Sequence, residues 1–165
     1  MFIDNKKKVP IFVIKKMKPF FVLIVVFVVS NLSTLLLKGT VDYFFSGKIA
    51  LAVMLLFTSL GHLLYTEGMT LMLPEFIPFK KEMIYATGLL EALAAIGLFV
   101  PQVSRMTGIL LLVFFLLILP TNIRANLKHI NYETATFDGP GPNYLWFRIP
   151  FQILLIAWTY YFAIR

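Results

Sequence analysis

From residue 20 to residue 37 the chain carries no charged side chain, and four later stretches come close to the same condition. A helix that crosses a bilayer needs about 17–25 mostly apolar residues rising about 1.5 Å each, because lipid offers an open backbone no hydrogen-bond partner. The qualifying stretches are residues 20–37, 48–66, 83–100, 107–126 and 144–164. In the fourth, Pro120 lacks a backbone donor, which predicts a kink or an early end. Composition agrees with so many crossings. The 165 residues are 59% hydrophobic and 14% charged, whereas soluble domains hold about 45–50% apolar and about 25% charged residues. The expectation is an all-α polytopic membrane helical bundle without internal repeats.

The basic residues set a direction. With the N-terminus inside, Lys6, Lys7, Lys8, Lys15, Lys16, Lys18, Lys80, Lys81, Arg124, Lys128 and Arg148 lie on the inner side. Lys38, Lys48, Arg105 and Arg165 lie outside, which is 11 against 4 of the 15 Lys and Arg. The positive-inside rule then places the N-terminus in the cytoplasm and the C-terminus outside, in the cell (plasma or inner) membrane. The formal charge of +7 thus describes orientation, and no nucleic-acid partner is expected. Residues 6–18 can also meet anionic headgroups. The first apolar run exceeds a signal-peptide core and no A-x-A-like site follows it, so an uncleaved anchor is expected. The segment "NYETATFDGPGPNY" reads as a rigid interfacial turn, since "GPGP" suits neither helix nor strand interior.

Cysteine is absent and there are two histidines. That excludes disulfides, Fe–S clusters and Cys-ligated zinc, and leaves too few ligands for a bis-His haem or a three-His metal site. No metal and no covalently bound cofactor are expected.

The sharpest polar feature is "TGLLEALAAIGLF", which sets Glu91 about 12 Å into the third crossing. A charge at such depth costs at least about 2.5–3.5 kcal/mol and faces the bundle interior and a partner. Helical spacing puts Thr87, Gly88, Glu91, Ala94 and Ala95 on one small, polar face, and leaves Leu90, Ile96 and Phe99 for lipid or other helices. It aligns Thr58, Ser59, His62 and Thr66 on the second crossing, and Arg148, Gln152 and Thr159 on the fifth. Asn122 and Arg124 flank Pro120. With the N-terminus inside, His62, Asn122, Arg148, Gln152 and Glu91 all fall towards the cytoplasmic half, predicting one inward-opening polar site. Glu91 and His62 are the candidate catalytic acid–base pair. Arg148, Asn122, Gln152, Thr87 and Thr58 are the candidate ligand-binding residues, with Arg148 suited to an anionic or carbonyl oxygen. The plainer alternatives are a structural ion pair for Glu91, interfacial hydrogen bonding for His62, snorkelling for Arg148 and interhelical bonding for Asn122 and Gln152.

The blocks "LFTSLGHLLYTEGMTLMLPEFIP", "YATGLLEALAAIGLFVP", "LPTNIRANLKH" and "YLWFRIPFQILLIAW" resemble the DoxX/DoxX-like membrane proteins. The resemblance covers residue 47 to the C-terminus and carries Gly61, His62, Pro74, Gly88, Glu91, Pro101, Asn122, Arg148 and Gln152 as motif positions. It implies a four-helix membrane domain over residues 47–165, an added N-terminal transmembrane helix at 20–37, and a basic cytoplasmic segment at 1–19. It also implies a quinone- or lipid-binding subunit or accessory of a membrane oxidoreductase system, with quinone as cofactor, a soluble redox partner and a homo-oligomer as further expectations. Two other readings stand beside it. One is an isomerase-like acid–base enzyme acting on a lipidic substrate; the other is a structural or assembly protein without catalysis.

Overall fold

The computed structural model describes residues 17–165. The basic segment expected over 1–19 therefore lies outside the described residues, except for Met17, Lys18 and Pro19. Regular structure among the described residues is helical, apart from one isolated antiparallel bridge between Asn131 and Thr136. The helices are α1 (Lys18–Lys38), α2 (Tyr43–Leu64), α3 (Thr66–Met72), α4 (Lys80–Gly97), α5 (Ser104–Leu127) and α6 (Leu145–Thr159). A 3-10 turn, Pro142–Tyr144, leads into α6, and a π-helical turn, Tyr160–Ile164, ends it.

Local signals account for the first hairpin. Pro19 opens α1, where a missing donor costs nothing. Gly39 closes it in the left-handed conformation (φ 69°), its N–H reaching the Leu35 carbonyl. Three residues later the Asp42 side chain accepts from the Phe45 N–H at 3.0 Å and caps α2.

Among the described residues, four helical segments are long and apolar enough to cross a membrane: Lys18–Lys38, Tyr43–Leu64, Ser104–Leu127 and Pro142–Ile164. Only 11% to 39% of each is buried inside the bundle. Most of their apolar surface therefore points outward, as a lipid solvent permits and water does not. The chain is an integral membrane helical bundle. The remaining crossing expected from the sequence, α4, carries Lys80, Lys81, Glu82 and Glu91 within its 18 residues and falls short on composition alone. It nevertheless runs the length of α2 in the opposite sense. His62 faces Ile84, Ser59 faces Gly88 and Thr58 faces Glu91, while Phe45 meets Phe99 at the far end. There Lys48 Nζ donates to Ser104 Oγ at 3.0 Å, tying the start of α5 to the start of α2.

The fourth stretch does not end early at Pro120, because α5 continues to Leu127. The turn beyond the proline is held from outside and from within: Arg124 donates to the Met72 carbonyl at 3.1 Å, and Asn126 Nδ2 donates to the Asn122 carbonyl of the same helix at 2.8 Å. The residue 131–144 segment is the irregular turn that "GPGP" predicts. Gly141 has φ 71°, and a Cβ there would lie 2.4 Å from the His129 ring.

The α1 helix is built into the core. Leu23 is fully buried in the main apolar cluster with Leu51, Leu55, Leu98 and Phe115. Phe20 packs edge-on against Phe147 and Phe151 of α6, and Phe27 against Trp158. The short α3, which periodicity did not reveal, docks through Gly68 on the loop between α5 and α6, where an added Cβ would collide with the Tyr132 carbonyl oxygen. Because backbone cannot rotate aside, Gly68→Ala is expected to destabilise the bundle by about 1–3 kcal/mol, measured as a lowered thermal unfolding midpoint in detergent.

Candidate functional site

Among the described acids, bases and histidines Glu91 is the most buried, at 5% exposure, and its partners come from α2. Thr58 Oγ1 donates to Glu91 Oε2 at 2.7 Å, and His62 Nε2 lies 3.5 Å from Glu91 Oε1. Both α2 residues sit one helical turn apart, so a single carboxylate spans them. The approach depends on Gly88. Ser59 Oγ donates to the Gly88 carbonyl at 2.8 Å, and a Cβ on Gly88 would stand 2.8 Å from His62 Cβ.

The far side of the imidazole fixes how it is protonated. His62 Nδ1 lies 3.1 Å from the Ile84 carbonyl oxygen and 3.1 Å from Thr87 Oγ1. The carbonyl can only accept, and the Thr87 hydroxyl already donates to it at 2.8 Å. Nδ1 is therefore the N–H, assigned from the bonding network. That leaves Nε2 turned towards Glu91 Oε1, 3.5 Å away.

The second polar group stands on α5 and α6. Arg148 Nη2 donates to Asn122 Oδ1 at 2.5 Å and also hydrogen-bonds the Tyr144 side chain. One turn deeper, Gln152 Nε2 donates to the Phe115 carbonyl at 2.8 Å. Asn122 and Gln152 are buried, at 5% and 4% exposure.

Between these groups lies a cavity of about 420 Å³, within the range of small-molecule sites. All seven residues singled out from the sequence line it: Glu91, His62, Arg148, Asn122, Gln152, Thr87 and Thr58. Its floor is apolar, formed by Met54, Leu55, Phe115 and Leu155. Leu60 and Leu64 also line it and are 58% and 73% exposed, so the cavity is open at the α2 C-terminal end.

Sequence reasoning missed the rim. Lys18 of α1 reaches Glu133 at 3.1 Å, and both line the cavity together with Tyr65 and Tyr132. The sole hint was a lysine placed directly before an apolar helix. Burial pushes the Tyr132 hydroxyl up to about 12, with nearby Arg148 acting in the opposite direction, so this rim group remains a neutral donor.

An all-helical bundle with apolar helices long enough to cross a bilayer, and a partly polar cavity between them, defines an integral membrane protein. The chain belongs to the DUF8561 family, described as a domain of unknown function, whose profile matches residues 51–163. The match takes in every cavity-lining residue except Lys18 and Pro19. No curated protein and no solved structure matches the chain.

Two substitutions test the pairing. Thr58→Val keeps the shape but removes the donor to Glu91, and should lower stability by about 1–3 kcal/mol in reversible unfolding. Gly88→Ala should push His62 away from Glu91, visible as a changed imidazole nitrogen resonance, with a lowered unfolding midpoint.

Proposed function

We propose that this DUF8561 protein binds a membrane-soluble ligand, quinone or lipid, in the cavity between α2, α4, α5 and α6. The observation that carries the reading is the convergence of Glu91, His62, Arg148 and Asn122 on one open, otherwise apolar cavity. Such a chamber accepts an apolar body and orients its oxygens through a few polar groups. The likeness to DoxX-like proteins points the same way, towards a subunit or accessory of a membrane oxidoreductase system. If the ligand is a quinone, its electrons come from elsewhere, because the chain has no cysteine and only two histidines. A soluble redox partner would then act at the open end.

An acid–base enzyme on a lipidic substrate is the second reading, favoured by the placement of Glu91 and His62 3.5 Å apart on one cavity wall. In a purely structural protein the same pair would only join α2 to α4.

Glu91→Gln separates these readings. It preserves volume and a bond to Thr58 but removes the exchangeable acid. Under the binding reading, lipid and quinone extracted from the purified protein should fall at least about tenfold relative to wild type, as expected when a charge-assisted or proton-sharing contact is lost. Unchanged ligand content with a lowered unfolding midpoint would leave only the structural role.

The orientation proposed from the basic residues, N-terminus inside, has its own test. The chain lacks cysteine, so single introduced thiols report without background. In intact cells a membrane-impermeant maleimide should label Lys38→Cys and spare Lys128→Cys until the membrane is opened. The reverse pattern would invert the topology.

A further inference from the structure

The charge balance of the cavity is uneven. Its ionisable Lys, Arg, Asp, Glu and His lining residues are Lys18, His62, Glu91, Glu133 and Arg148. Glu91 lies against His62 at 3.5 Å, and Lys18 is paired with Glu133 at 3.1 Å. Arg148 is different. Its bonded partners are the Asn122 amide oxygen and the Tyr144 side chain, and among the described residues no carboxylate lies within 4.0 Å of it. Among the described residues it is the one cavity-lining cation with no carboxylate beside it, a guanidinium with five donors of which neutral groups occupy only part. A half-buried cation on an apolar wall without a counter-ion is poorly solvated. Its position in the first turn of α6 adds the positive end of that helix at the same place.

Resting on the ligand-binding reading, we infer that the cavity takes an amphiphile with an anionic head, carboxylate or phosphate, whose head is the missing counter-ion of Arg148. The apolar chain of that amphiphile lies along the Met54, Leu55 and Leu155 floor or leaves past the exposed Leu60 and Leu64. Arg rather than Lys suits this role, because its planar fork matches the two oxygens of a carboxylate or phosphate. Asn122 orients that fork by holding one Nη from behind. A quinone, having no formal charge, would leave Arg148 uncompensated.

The test uses the full chain in phosphatidylcholine nanodiscs, with radiolabelled oleate as the anionic probe, monoolein as its uncharged counterpart and inorganic phosphate as the free anion. Oleate should bind saturably and be displaced by monoolein only at an excess of about tenfold or more, the usual weight of a charge-assisted pair. Inorganic phosphate should not displace it. Arg148→Gln should abolish the preference for oleate over monoolein. Asn122→Asp, which leaves the guanidinium in place but supplies it with an internal carboxylate, should do the same, and this second variant guards against a folding defect in the first. Equal binding of oleate and monoolein by wild type, or an unchanged oleate preference in folded Asn122→Asp, would overturn the anionic head while leaving lipid binding intact. Displacement by phosphate as effective as by oleate would overturn the amphiphile. Binding of neither lipid would overturn the ligand-binding reading as well.

Discussion

A carboxylate inside an apolar bundle has to find its partners among neighbouring helices, and Glu91 finds them on α2. Thr58 and His62 take one oxygen each, and Gly88 removes the side chain that would otherwise hold the two helices apart. This contact matters most for α4, whose composition gives it the weakest claim to a place in lipid. An apolar helix can sit in a bilayer unaided, but a helix with a buried acid is stable there only while the acid is satisfied. The α2–α4 pairing is therefore a condition for the fold, and it also fixes one wall of the cavity.

The opposite wall follows another logic. Arg148, Asn122 and Gln152 bond mainly to neutral groups: an amide oxygen, a tyrosine side chain and the Phe115 carbonyl. These bonds position the side chains without cancelling the charge of Arg148. One wall carries the acid and the other the guanidinium. A chamber of that kind has a polarity of its own, and a ligand entering it meets a direction as well as a volume.

Much of this was legible in the sequence because membrane helices announce themselves by long uncharged runs, and because polar residues at helical spacing within such runs must face inward. Thr58, His62, Thr87, Glu91, Asn122, Arg148 and Gln152 reach one cavity for that reason. What stayed hidden depended on contacts between distant parts of the chain. The α3 helix is a single short element docked through Gly68 onto the Tyr132 backbone, a fit no periodicity encodes. Pro120 marks a missing donor, but beyond it Arg124 ties α5 to the Met72 carbonyl, 52 residues away. The rim pair Lys18–Glu133 joins residues 115 apart in sequence.

That last pair bears on the order in which the protein can be made. Of the described helices α1 is made first and supplies Lys18 and Phe20, yet its partners Glu133, Phe147 and Phe151 follow more than about 100 residues later. Contacts of such sequence separation form late. Until α6 has entered the bilayer, α1 is anchored to α2 alone and the chamber has no closed perimeter. A nascent chain carries its buried acid through the membrane before it owns a site to put it in, and the bundle becomes a container only when its final segment arrives.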